Sequence, residues 1–376
     1  MKLRRVFVIV VALGVALLPA TASASSGWQI TPTPPNPHGT QFGAVSRLAS
    51  VSCISASACT AVGEADPASS NGAHGGFGPG YALVERWNGT AWKIQSAPTP
   101  ADAQAFGPIL ASVKCISASF CMAVGSYSTS TSFTETAFAE RWNGTAWKIQ
   151  PISQPAASNF LKAVACTTTI NCIAVGSTDN GASLAEHWNG TSWSPMSVPA
   201  SAGTLTGVSC TSASACTAVG GGGLAERWNG KTWAIQNLAV PANTQINIYG
   251  VKCISATACT AVGSQYDASV NSLLTLAEFW NGSSWQIQST PNPANSFSEL
   301  YAIACTALNA CTAIGAGPMA ENWNGTNWQI QSMPGAGSQL QSVSCTSATA
   351  CMAVGGKITS SVEGVNTVVT VAERRP

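Results

Sequence analysis

Fourteen cysteines stand in seven pairs with the same spacing: Cys53 with Cys59, Cys115 with Cys121, Cys166 with Cys172, Cys210 with Cys216, Cys253 with Cys259, Cys305 with Cys311, and Cys345 with Cys351. Two chemistries use such pairs. A zinc site draws thiolates from separate turns onto one ion, with Cys-x-x-Cys or Cys/His spacing. Here each pair belongs to its own copy of a repeated motif, so the spacing predicts seven local disulfides and an oxidising compartment. A carboxylate also recurs, as Glu85, Glu140, Glu186, Glu226, Glu278, Glu321 and Glu373. General acid catalysis needs such a group once, so a glutamate present in every copy reads as structural.

The elements that position these residues are short. In Val51-Ser-Cys-Ile-Ser-Ala-Ser-Ala-Cys-Thr-Ala-Val-Gly, two β-forming runs flank a small polar turn and set the cysteines opposite each other. Closing so small a loop adds about 2 kcal/mol per bridge in the chain-entropy picture. Further along, Ala82-Leu-Val-Glu-Arg-Trp-Asn-Gly-Thr-Ala-Trp-Lys-Ile-Gln reads as a second hairpin, because Asn-Gly between β-formers signals a two-residue type I′ turn. That turn, placed on Asn88-Gly89, pairs Trp87 with Thr90, Arg86 with Ala91 and Glu85 with Trp92. Alternation puts Glu85, Trp87, Trp92 and Ile94 on one face and Arg86 with Lys93 on the other. The glutamate of one copy is therefore expected to meet the arginine of the next across a seam, as among Glu85, Arg86, Glu140 and Arg141.

The Trp-Asn-Gly half occurs only six times, at Trp87, Trp142, Trp188, Trp228, Trp280 and Trp323, while the seventh copy stops at Val371-Ala-Glu-Arg-Arg. Its missing strand stands at the other terminus, where Trp28-Gln-Ile and a proline-rich run match Trp285-Gln-Ile and the prolines after it. Four strands in each of seven copies predict an all-β fold, a seven-bladed β-propeller of four antiparallel strands per blade, closed by the strand around Trp28. The cysteine hairpins are then innermost and the tryptophan strands form the rim. Tight turns fall on one side of the disc and variable connections on the other. After the Ala-Val-Gly run the connection is three residues in copy four (Gly221 to Gly223) but long in copy one (Glu64 to Gly80), two (Ser126 to Thr136), five (Ser264 to Thr275) and seven (Gly356 to Thr370).

Composition narrows the partners. Charged residues make up 8% of the chain and the net charge is +1, which disfavours nucleic acid and anionic membranes, since both require clustered Lys and Arg. Residues 1–24 read as a signal peptide, with basic Lys2, Arg4 and Arg5, an apolar run from Val6 to Leu18 and a small-residue Ala22-Ser23-Ala24 cleavage site. No later run is long and apolar enough to span a bilayer. Residues 25–376 are read as one domain, secreted and monomeric.

The Gly89 and Trp92 hairpin resembles the Asp-box or BNR hairpin, Ser-x-Asp-x-Gly-x-x-Trp, of sialidase-type and photosystem-assembly-factor-like propellers, with Trp87 where the Asp belongs. The strands before it resemble those of secreted bacterial propellers of that type. The resemblance spans all seven copies and implies a fold more than an activity. A sialidase would need an arginine triad, a tyrosine nucleophile and an aspartic acid; the mature chain has four Asp and no arginine cluster. Copper chemistry of the galactose-oxidase kind draws on two His and two Tyr, whereas His38 and His74 lie in separate connections and His187 takes the place of a recurrent arginine. No catalytic residue, metal or cofactor is expected.

The long connections carry the residues that the repeat does not need. Asp66, Asn71, His74, Phe77, Tyr81, Tyr127, Phe133 and Glu135 form the candidate surface for a carbohydrate or an extracellular protein. The competing reading is an extracellular glycan-acting hydrolase or lyase on the same face. Asn-Gly-Thr or Asn-Gly-Ser sequons at Asn88, Asn143, Asn189, Asn281 and Asn324 are accounted for by turn chemistry.

Overall fold

The computed structural model describes residues 27–37, 43–67, 80–103, 107–129, 134–199, 203–240, 244–292, 298–316, 319–362 and 365–376. None of these is helical. Each repeat folds as one antiparallel sheet; the strands of repeat one are Val45–Ser55, Ala58–Asp66, Tyr81–Trp87 and Trp92–Gln95. Repeats two to six form five separate four-stranded sheets, while repeats seven and one share an eight-stranded sheet. The two halves of that sheet meet at a single parallel bridge, Val45 with Val368. Its last strand comes from the N-terminal segment, whose Gln29, Ile30 and Thr31 pair with Arg374, Glu373 and Ala372.

The two cysteines of every copy face each other in the ladder of the first two strands. They are bonded as the spacing predicts: Cys53 to Cys59, Cys115 to Cys121, Cys166 to Cys172, Cys210 to Cys216, Cys253 to Cys259, Cys305 to Cys311 and Cys345 to Cys351, at S–S distances of 2.00–2.06 Å. Four residues before the first cysteine, every first strand carries a bulge: Ala49, Ala111, Lys162, Thr206, Tyr249, Tyr301 and Gln341 have no partner in the register. The bulge also explains the glycine of Ala-Val-Gly. A Cβ on Gly125 would lie 1.8 Å from the Ile109 carbonyl oxygen, and the other six copies are similarly close. Only glycine lets the bulged backbone settle onto the second strand.

First strands of successive repeats pack side by side. Too far apart for a ladder, they are stitched by serine. Ser50 and Ser52 accept from the Val113 and Cys115 amides, and Ser342 and Ser344 accept from those of Val51 and Cys53, at 3.0–3.1 Å. Apolar clusters fill the seams: Leu48, Ala61, Leu83, Trp87 and Trp92 of repeat one pack on Met352, Val354 and Ala372 of repeat seven.

Three expectations need correction. The Asn-Gly hairpin has four loop residues, pairing Trp87 with Trp92, Arg86 with Lys93 and Glu85 with Ile94. Only Gly89 takes positive φ (98°), and the Asn88 side-chain oxygen accepts from the Thr90 amide and hydroxyl and the Ala91 amide, building the turn from an Asx motif. The shift is even, so the two faces are as expected. Second, the connection of repeat seven is ladder rather than loop, with strands Cys351–Val362 and Val365–Arg375 paired to their ends; its Thr- and Val-rich sequence favours a pleat. Repeat five likewise continues in register to Asp267 and Ser272. Third, the glutamates and arginines do not meet: Arg47 with Glu64 is the one ion pair among the described residues.

Candidate functional site

The recurrent glutamates are 0–1% exposed and lie on the face turned to the preceding repeat. Ser153 donates to Glu186 Oε1 at 2.7 Å and the Ala239 amide to Glu278 Oε2 at 2.8 Å, while neither oxygen of Glu140 has a hydrogen-bond partner. Burial pushes Glu85 and Glu140 up to about 8 and Glu186, Glu321 and Glu373 up to about 7. Burial thus favours the protonated form, most for Glu85 and Glu140, and the side chains are sealed in the seams.

Three of the arginines that follow a glutamate, Arg86, Arg227 and Arg374, cross to the next repeat instead. Arg86 lies 5.4 Å from the Trp142 ring and donates to the Ala118 carbonyl at 3.2 Å. Arg227 stacks on Trp280 at 4.8 Å and reaches the Ala256 carbonyl. A guanidinium there meets an indole face and a turn carbonyl, which the sequence pattern did not indicate.

On the side of the long connections, the edge of repeat one brings charges together. Arg47 Nε is 2.9 Å from Glu64 Oε1, with the arginine half-exposed and the carboxylate mostly covered. Burial and the neighbouring Glu64 raise Asp66 to about 6 against the pull of Arg47. Asn36 from the N-terminal segment donates to the Asp66 and Val45 carbonyls at 3.1 and 3.4 Å. Tyr81 stands opposite Ala65, beside Asp66 in the ladder.

Other candidates from the sequence fall elsewhere. Tyr127 is 8% exposed; its hydroxyl donates to Asp102 at 3.0 Å and its ring packs edge-on against Phe138. It pins repeat two to the connection before it and offers no face to a ligand in this packing. Glu135 opens a strand, its amide donating to Ser158 at 3.1 Å. Asn71, His74, Phe77 and Phe133 lie outside the described residues, as does His38.

A second polar cluster sits at the bulges of repeats five and six. Tyr249 and Tyr301 donate to the two oxygens of Glu299, each at 2.9 Å, Ser264 adds a third bond at 3.2 Å, and the two rings meet edge-on at 5.6 Å. The only sequence signal for it is an odd residue type at a column that holds Ala in copies one and two. Lys114 and Lys252 occupy the column three residues further on, immediately before a first cysteine. Burial, and then the charge of Lys252, lower Lys114 to about 8.

Among the described residues no group of three His, Cys, Asp or Glu is placed to hold a metal ion, and no helix is long and apolar enough to cross a membrane. The cysteines that could have supplied thiolates are all spent in disulfides. No family model matches the sequence, and no curated protein is similar to it. Solved structures are similar in fold. YCF48 bound to D1 peptide superposes with a TM-score of 0.57 at 12% identity, over 93% of this chain and 96% of that one. YCF48 from Cyanidioschyzon merolae gives 0.59 at 12%, over 93% and 99%. The WD40 propeller domain of Doa1 gives 0.53 at 13%, over 90% and 97%. The chain has a β-propeller fold.

Proposed function

We propose that this chain is a secreted, non-catalytic β-propeller, closed as a ring of seven blades, that binds an extracellular protein segment or a carbohydrate through the face carrying the long connections. The observation that carries the reading is the asymmetry of the two sides. Turns on one side repeat the same Asx and serine chemistry, while the other gathers groups that occur once: Arg47 with Glu64 and Asp66, and Glu299 held by Tyr249 and Tyr301. Ring closure is supported by the N-terminal strand in the sheet of repeat seven and by the first strand of repeat one, which packs beside that of repeat seven as it does beside that of repeat two. Seven intra-hairpin disulfides support export. A protein segment ranks first because a fold neighbour of matching extent is a propeller bound to a peptide.

Screening the mature chain on peptide and glycan arrays tests this. Hits should be lost on replacing residues 68–79 with Gly-Gly-Gly, which leaves the strands Ala58–Asp66 and Tyr81–Trp87 intact, with the melting temperature nearly unchanged. Binding that survives the replacement would reject the face. A glycan-acting hydrolase or lyase is the second reading, favoured by one observation: Asp66, raised to about 6 beside Glu64, is poised as an acid. Glycan turnover abolished by Asp66→Asn would establish it.

A further inference from the structure

Three seams are closed by an arginine from the preceding repeat lying over an indole: Arg374 on Trp87, Arg86 on Trp142 and Arg227 on Trp280. Those three tryptophans are 4–7% exposed. At the seam between repeats three and four the arginine position holds His187. The imidazole does not cross. Its Nε2 is 2.8 Å from the side-chain oxygen of Asn171, which stands where repeats one, four, five, six and seven have alanine, and this bond holds it against its own sheet. Burial keeps His187 below its ordinary pKa, so it supplies no cation in place of the arginine.

The rest of the slot is intact. Trp228 is partly exposed and its Nε1 donates to the Ala213 carbonyl at 3.1 Å, as Trp142 does to Ala118 at 3.0 Å. A groove of about 660 Å³ opens there, lined by Asn171, His187, Ala213, Trp228, Lys231 and Trp233 among others. Lys231, in the exposed turn, is the one fixed charge on that lining and opposes an incoming cation. Arg86 and Arg227 occupy their slots on a ring and a carbonyl alone, without an acid. The seam between repeats five and six also lacks an arginine, with Phe279 at that position, and a smaller groove of about 450 Å³ opens there beside Trp323.

We propose that the seam between repeats three and four is a binding slot for an arginine side chain of a partner polypeptide, taken up by the Trp228 face and the Ala213 carbonyl as the chain's own arginines are elsewhere. The slot lies on the tight-turn side of the rim and does not depend on the reading of the long-connection face. Planar guanidinium fits both partners at once, stacking on the indole while its edge donates to the carbonyl.

The probe is acetyl-Gly-Gly-Arg-Gly-Gly-amide, titrated in ligand-observed NMR, with lysine and citrulline peptides alongside. The expected order is arginine, then lysine, with citrulline negligible. His187→Arg, which fills the slot from within, should weaken the arginine peptide at least tenfold and leave the melting temperature unchanged or higher. Trp228→Leu should weaken it equally and serves if His187→Arg does not fold. Equal binding of citrulline and arginine, full binding by His187→Arg or Trp228→Leu, or Trp228 perturbed by neutral disaccharides but not by the peptide would each overturn the assignment.

Discussion

Replacing Glu140 with glutamine swaps a buried carboxylic acid for a neutral group of the same shape. Glu140 is fully buried, neither oxygen has a hydrogen-bond partner, and burial alone raises it from 4.5 to about 8. A folded-state pKa above the unfolded one means that the unfolded chain gives up its proton first. The acid's contribution is therefore complete below pH 4.5 and is lost as pH rises towards 8. Each pH unit inside that window costs about 1.4 kcal/mol, so from pH 5 to pH 8 the wild type loses roughly 3 kcal/mol through this residue alone. Glutamine does not titrate in either state. The variant should match the wild type within about 1 kcal/mol at pH 5 and exceed it by roughly 3 kcal/mol at pH 8, read as shifts of the urea midpoint with the disulfides intact. A variant equally destabilised at both pH values would show that Glu140 is ionised and paired, and would refute the neutral seam.

Two further outcomes follow from the packing. A chain beginning at Gly43 loses the three ladder pairs at Gln29 to Thr31 and the Trp28 ring, which is 6% exposed among Ile314, Leu340 and Val371; removing so buried a tryptophan costs about 3–5 kcal/mol. Its melting temperature should fall well below that of a chain beginning at Ser25, and equal values would contradict the closing role of that strand. Gly125→Ala puts a methyl 1.8 Å from the Ile109 carbonyl and should cost at least about 3 kcal/mol by displacing backbone, whereas Gly27→Ala, with nothing within 4 Å, should be silent in the same thermal scan.

The repeat was legible because its signals are local. Cysteine spacing gave the first hairpin and the pairing within it, from Cys53 with Cys59 to Cys345 with Cys351, and the Trp28 match gave the strand that joins repeat seven. The hairpin register was misjudged because Asn-Gly also begins a longer Asx-built turn when Thr or Ser follows within reach of the asparagine oxygen. The face assignment survived because an even slip preserves alternation. Connection lengths misled in repeats five and seven, where β-branched residues prolong the ladder beyond the point at which the repeat pattern ends.

What was not legible depends on neighbours. Alternation within a strand shows that Glu85 and Arg86 face opposite ways, but not what each meets. Pairing opposite charges was the natural guess and it failed, because the geometry gives Glu186 and Glu278 small donors and Glu140 none, while Arg86, Arg227 and Arg374 lie over aromatic faces. The bulge hid the second cluster: it turns the residue four before the cysteine out of the period-two pattern, so Tyr249 and Tyr301 read as strand residues rather than as the ligands of Glu299. The same neighbour-dependence makes departures from the repeat informative. An arginine replaced by His187 means little in one hairpin, but the next repeat keeps an indole and a carbonyl arranged for a guanidinium that this chain does not supply. The seam between repeats three and four, which lacks the arginine that three other seams supply, is where the proposed partner side chain enters.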